Sequence, residues 1–334
     1  MSYILSTTSI DSQGDQLSLE DLEYMAKVIN GPTALRYGLE HDPTYPPLGQ
    51  LYNARTSVNE EGIYLLLADV LFYKATEFLI HGEEELVLLS TESPRPFKEV
   101  RKIPIESIEI TTDITNISND VGVESYLASI KLIDENIVLK NKVRKAAIND
   151  PEVIITLAKY FALYKIFTPV IAKLSEKIVE DLSGELYEQY FKLKQLVYAS
   201  VKAISGSNNK YTVIIQIPFE KFEVELVYRP SKDGIESFIE SLHPDTIKSI
   251  CEDAQKFHEI YDAEKIQFVL NSSVNWRFNY LLSSDGKVIG NKDAIRQRDE
   301  VYSKLLKYDT SGHSFTAKGS LRHESTDDTT NKSD

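Results

Sequence analysis

Near residue 150 the apolar pattern of this chain changes period, and that change narrows the folds open to it. Before it, short apolar runs stand between turn residues: Leu48 to Ala54, Gly62 to Phe72, Glu85 to Leu89 and Ile105 to Thr111, punctuated by Asn59, Gly82 and Pro94. These read as strands. One helix interrupts them. Ser18 followed three residues later by Asp21 has the form of a capping box, and Leu19, Leu22, Ala26 and Ile29 recur at helical spacing until Gly31-Pro32. After the change, Asp150 suits an N-cap and Pro151 the first turn of a helix expected through Phe167; Thr168-Pro169 repeats the signal for a second, to about Asp181. A third, from about Glu185 to Ile204, carries Leu186, Tyr190, Leu193 and Val197 on one face, which predicts a helical hairpin or small bundle.

Ser205-Gly206-Ser207-Asn208-Asn209 is a loop by composition. Beyond it Tyr211 to Ile217 and Phe222 to Tyr228 read as a strand pair, Ile235 to Leu242 and Asp245 to Tyr261 as helices, and Ile266 to Leu270 and Trp276 to Leu282 as further strands before a turn at Ser284-Asp285-Gly286. After about Tyr308 the chain is too polar to offset ordering entropy, and a disordered tail is expected. The fold class expected is α+β, divided into a β-rich domain over 1–130, a helical segment over 131–205, an α+β domain over 206–307 and a tail over 308–334.

With 334 residues, 42% of them hydrophobic, the chain is long enough for two cores. Its formal charge of -14 opposes general nucleic-acid binding, which needs a concentrated basic face, and leaves basic partners open. The single cysteine, Cys251, excludes an internal disulfide and reads as a small buried side chain. No basic n-region opens the sequence, and Lys159, Lys165, Lys173 and Glu176 break the apolar stretch that follows 152, so neither a signal peptide nor a membrane span is expected, and the location expected is cytoplasmic.

The segment with most chemical promise is Glu40-His41-Asp42-Pro43-Thr44-Tyr45-Pro46-Pro47-Leu48-Gly49, followed by Glu61-Gly62-Ile63-Tyr64. An imidazole held by a proline-braced run is suited to accept a hydroxyl proton near neutral pH. Together with Ile10-Asp11-Ser12-Gln13-Gly14-Asp15, and with Leu88-Leu89-Ser90 and Arg101 through Thr111, this run resembles the caudovirus prohead protease family, serine peptidases that share the herpesvirus assemblin fold. The likeness covers roughly the first 115 residues, about a third of the chain.

The resemblance implies an assemblin-like fold over 1–130 with Ser90 as nucleophile, His41 as general base and Glu109 as the acid behind the imidazole. Glu124 is an alternative acid. It further implies a serine endopeptidase acting by acyl transfer without a cofactor, on a protein substrate or assembly partner in a phage or prophage capsid setting. Ser90 is followed by Thr91-Glu92-Ser93-Pro94, where the family commonly has small residues and glycine, and a carboxylate is unfavourable beside a developing oxyanion. A protease-like fold without activity, serving as a binding or assembly platform, is the second expectation. His81-Gly82-Glu83-Glu84-Glu85 reads as a solvated charge run rather than a metal site, and the alternating Trp276, Phe278 and Tyr280 as a core face rather than a stacking platform for bases.

Overall fold

The computed structural model describes residues 2–10, 16–39, 42–97, 107–118, 121–141, 152–157, 176–205, 211–229, 234–271, 275–310 and 322–323. They form a mixed α+β structure built on two sheets. The smaller contains β1 (Ser2–Thr7), β2 (Arg36–Tyr37), β3 (Gly49–Val58), β4 (Tyr64–Phe72) and a two-residue strand, Arg322–His323, in the order Arg322–His323, β1, β4, β3, β2, every pair antiparallel. Helix α1 (Leu19–Ile29) buries Leu22, Ala26 and Ile29 against Leu51, Ala54, Leu66 and Ala68 of that sheet. Its capping box forms as expected: Asp21 N donates to Ser18 Oγ at 3.1 Å, and Ser18 N donates to the Asp21 carboxylate at 2.8 Å. At the other end the Arg95 guanidinium donates to the carbonyls of Ile29 (3.2 Å) and Gly31 (2.8 Å), placing a cation where the helix dipole is negative.

The larger sheet has ten strands. In chain order they are β5 (Lys74–His81), β6 (Glu84–Ser90), β7 (Glu109–Thr112), β8 (Val138–Asn141), β9 (Glu152–Thr156), β10 (Thr212–Pro218), β11 (Glu223–Tyr228), β12 (Ala263–Leu270), β13 (Trp276–Ser283) and β14 (Val288–Asn291). The two-residue strand of the smaller sheet is β15. Across the sheet the order is β5-β6-β14-β13-β12-β11-β10-β9-β7-β8. Pairs β7/β8, β9/β10 and β11/β12 are parallel and the rest antiparallel.

One face of this sheet is apolar and covered by helices. Val153, Ile155, Val213, Ile215, Val224, Leu226, Ile266 and Phe268 share a core with residues of α2 (Val123–Ile133), α3 (Glu176–Ile204), α4 (Gly234–Ser241) and α5 (Pro244–Tyr261). A final helix, α6 (Lys292–Thr310), joins the sheets. Its Ile295 packs with Val87, Leu89, Tyr280 and Val288, while Val301, Tyr302 and Leu305 pack on the core of the smaller sheet. The chain passes from one sheet to the other within a single residue, because β4 ends at Phe72 and β5 begins at Lys74. Tyr73 between them is buried; its hydroxyl donates to Gly286 O at 2.8 Å and accepts from Gln50 Nε2 at 3.0 Å.

Several expectations need correction. The helix expected from 150 to Phe167 is a strand at Glu152–Thr156, because its β-branched Val153, Ile154 and Ile155 find a parallel partner in β10. Residues 158–175, where the rest of that helix and most of the second fall, lie outside the described residues. The segment 131–205 is therefore not helical throughout, since it supplies β8 and β9. The boundary expected at 130 falls inside one sheet, with β5, β6 and β7 joined to β9–β14. Strand β5 and helix α6 were not anticipated, and of the expected tail only β15 is described beyond Thr310.

The turn at Ser284-Asp285-Gly286 forms as expected, and its glycine is doubly constrained. Gly286 has φ +83°, and a Cβ there would lie 2.1 Å from Arg95 O. Gly286→Ala is expected to cost about 2–3 kcal/mol, from backbone strain plus displacement of the Arg95 carbonyl. Urea unfolding of the variant against the parent measures this.

Candidate functional site

Opposite the helix-covered face, one cross-strand row crosses all ten strands. By pairing it reads Phe78, Val87, Gly290, Tyr280, Gln267, Glu225, Gln216, Thr156, Glu109 and Val138. Residues in register share a face, so these side chains form one line. The ends are apolar. The six positions from Tyr280 to Glu109 are polar or charged; Gln216 is half-buried and the other five are buried. A bulge between Gln267 and Phe268 and their partners Tyr280 and Phe278 lets Phe278 stay in the helix-side core while Tyr280 joins the polar side. The aromatic alternation of β13 is thus core on both faces.

Lys265 is the centre of this line. Two positions before Gln267 on β12, it points to the same face, with Nζ 2.8 Å from Glu225 Oε1 and 3.3 Å from Glu223 Oε1. The hydrogen-bond chain continues on both sides. Thr156 Oγ1 donates to Gln216 Oε1 (2.9 Å), Gln216 Nε2 to Glu225 Oε1 (3.3 Å), Gln267 Nε2 to Glu225 Oε2 (2.7 Å), and Asn279 Nδ2 to Gln267 Oε1 (2.6 Å). Arg36 Nη1 donates to Tyr280 OH at 3.0 Å.

Burial pushes the Glu225 carboxyl up, but Lys265 and Arg36, with hydrogen bonds from Lys265 and Gln267, outweigh it and hold the group down at about 2. Burial likewise pushes the Lys265 ammonium down, and the two glutamates overcome it, raising its pKa. Both groups are charged at neutral pH. A lysine held in that state is a cation, not a nucleophile, and the glutamates are acceptors, not acids.

The proline-braced run lies across this line as a clasp. Pro43 O accepts from Gln267 Nε2 (2.8 Å) and Tyr280 OH (3.3 Å), and Thr44 O accepts from Asn279 Nδ2 (2.7 Å). Asp42 forms an ion pair with Arg229, and Pro47 O accepts from the buried Arg298 of α6 (2.7 Å). Prolines fix the backbone direction of the run, so its carbonyls meet the sheet's donors at fixed spacing.

The expected catalytic residues fall apart in this geometry. His41 lies outside the described residues, as do Asp11 to Asp15 and Arg101 to Glu106. Ser90 ends β6, alternating with Leu86 and Leu88 toward the helix side, and its hydroxyl donates to the adjacent Thr91 O at 3.2 Å. Glu109 is on the opposite face of β7, and its carboxylate is 2.8 Å from Lys140 Nζ. Six strands separate β6 from β7, roughly 34 Å along the sheet. The structure does not bring Ser90 and Glu109 together, because strand order and face both oppose it. Glu124, the alternative acid, is exposed in the first turn of α2.

Elsewhere the chemistry is quiet. Cys251 is buried in the helix-side core, which pushes its thiol up to about 12. His81 stacks on Phe257 with ring centroids 4.5 Å apart, beside a two-residue turn whose Gly82 has φ +61°. Among the described residues no group of His, Cys, Asp and Glu has metal-site geometry, and no helix is long and apolar enough to cross a membrane. Sequence reasoning missed Lys265, Glu225, Gln267 and Arg95. For Lys265, Glu225 and Gln267 the signal, polar residues alternating with apolar ones on a strand, is the same as that of a solvent-facing strand, and Arg95 lies in the irregular segment after β6. Comparison of the chain with family models, with curated proteins and with solved structures gives no match.

Lys265→Met is expected to destabilise the protein by about 3–5 kcal/mol, because it leaves two buried carboxylates without their cation. Denaturant unfolding at neutral pH measures this. The pair also sets a pH window. The Glu225 contribution is complete above its ordinary value of 4.5 and is lost as pH falls toward 2; that of Lys265 is complete below 10.5 and is lost only at more alkaline pH. Stability measured from pH 5 downward is expected to fall more steeply for the parent than for Glu225→Gln.

Proposed function

We propose that this chain is a non-hydrolytic protein-interaction module, with the polar line of the larger sheet serving as internal structure. The observation that carries this reading is the edge at β5, free among the described residues. The strand is eight residues long, pairs among the described residues only with β6, and leaves Phe78 73% and Ile80 80% exposed. Large apolar side chains beside unpaired backbone groups are what strand addition recognises: the main chain supplies hydrogen bonds and the side chains supply selectivity. Such exposure carries an aggregation cost that a purely internal role would not explain.

Geometry supports the same choice from the other side. A serine hydroxyl stays a weak nucleophile without a base and an oriented acid, and the acid expected for Ser90 is neutralised by Lys140 on the far side of the sheet. Glu92, two residues after Ser90, is exposed and 3.5 Å from Lys74, so the region following the serine offers a carboxylate where an acyl-transfer site needs donors.

A fluorophosphonate probe discriminates the readings. Labelling of the full chain equal to that of Ser90→Ala, with intact mass unchanged on prolonged incubation, is the expected result. Labelling that disappears in Ser90→Ala would return the chain to the serine hydrolases and sink this proposal.

A further inference from the structure

The partner of β5 follows from the strand itself: we infer that the edge pairs antiparallel with β5 of a second copy of this chain, joining two ten-stranded sheets across a two-fold axis. This rests on the interaction-module reading and names its partner. The two edges of the large sheet differ in kind. At one end β8 is four residues long and carries Lys140, a short charged edge of the sort that discourages pairing. At the other end β5 is twice that length, has no proline, and bears a single bulge between Ala75 and Glu77.

Charge sets the direction. Lys74 opens β5 and the Gly82-Glu83 turn closes it, with Glu84 beginning β6. Parallel pairing of two copies in register would set lysine against lysine and one acidic turn against the other. Antiparallel pairing sets each Lys74 against the other copy's acidic turn, twice by symmetry. With Phe78 on the axis, that ring meets its own counterpart, Ile80 meets the other copy's Thr76, and Glu77 lies opposite Leu79 rather than another carboxylate.

Apolar continuity favours the same register. Phe78 pairs with Val87, which belongs to a buried cluster with Leu89, Tyr280, Leu282, Val288 and Ile295. Phe78 and Ile80 extend that cluster off the sheet edge, on the face where Glu85 and Lys292 form an ion pair beside Ile80. A two-fold copy closes the cluster from outside. One strand pair is a small interface, so the dimer is expected to be weak, with a dissociation constant on the order of micromolar.

Sedimentation velocity of the full chain from about 2 to about 200 µM tests this, together with mild oxidation of Phe78→Cys. The parent is expected to move from monomer toward dimer mass, and Phe78→Lys/Ile80→Lys to weaken association at least about tenfold with its thermal midpoint unchanged. Phe78→Cys is expected to form a covalent dimer faster than Leu132→Cys, an 88% exposed control on α2; the native thiol, Cys251, is buried and does not compete. A parent that stays monomeric throughout, or a dimer that the double lysine variant leaves unchanged, overturns the second-copy proposal. So does Phe78→Cys crosslinking no faster than the control. A monomer whose Phe78 and Ile80 are needed to bind a different protein would overturn it while leaving the interaction-module reading intact, whereas Ser90-dependent probe labelling would remove that reading first.

Discussion

A lysine buried between two glutamates in the middle of a ten-stranded sheet governs the rest of this structure. Taking one ammonium and two carboxylates out of water is costly, and the cost is offset only when each is paired and its remaining hydrogen-bonding capacity is met. Around Lys265 that condition recruits neighbours on both sides. Gln216 and Thr156 extend the chain toward β7, while Gln267, Asn279, Tyr280 and Arg36 extend it toward β14 and the smaller sheet. A one-residue slip of β12 against β11 would turn Lys265 into the helix-side core and expose Ile266 to the polar line, so the ion triad also fixes strand register.

The same requirement explains how the two sheets are joined. Polar side chains on the buried face opposite α2–α5 need acceptors, and the backbone of residues 42–47 supplies carbonyls to Gln267, Tyr280, Asn279 and Arg298. Gly290 leaves room for α6 beside this run: a Cβ there would come within 2.6 Å of the Ile295 side chain, whereas Pro46, at 3.7 Å, would be in ordinary contact. A segment whose histidine and prolines suggest catalysis thus has described carbonyls engaged in architecture. Tyr73, Gln50 and the backbone of Arg95 form a second junction at the turn containing Gly286: the Tyr73 hydroxyl and the Gln50 amide donate to Gly286 O, and the Gln50 amide also exchanges hydrogen bonds with the Arg95 N–H and carbonyl, tying the smaller sheet to the hairpin of the larger.

Local signals in the sequence were dependable where a short-range rule decides the outcome. Ser18 and Asp21 cap α1, the Tyr211 to Tyr228 hairpin and the helices near 235 and 245 form close to their expected limits, and Gly286 turns the chain with positive φ. The signal failed at β9, where a good N-cap and an opening proline preceded a β-branched run that a remote strand captured. It failed again at the site. A serine, a histidine and a glutamate in suitable chain order say nothing about how many strands are inserted between them, and here six are.

The amino-acid sequence by itself determined the alternation that gives the large sheet one apolar face and the caps and turns that bound its elements. Those depend on neighbours a few residues apart, within reach of local sterics and hydrogen bonding. Only the tertiary structure decided that the opposite face is buried rather than wet, that Lys265 meets Glu223 and Glu225 some forty residues away, and that Ser90 and Glu109 face different sides. Each is set by strand order, which is chosen by the summed burial of the whole sheet rather than by any local stretch of chain.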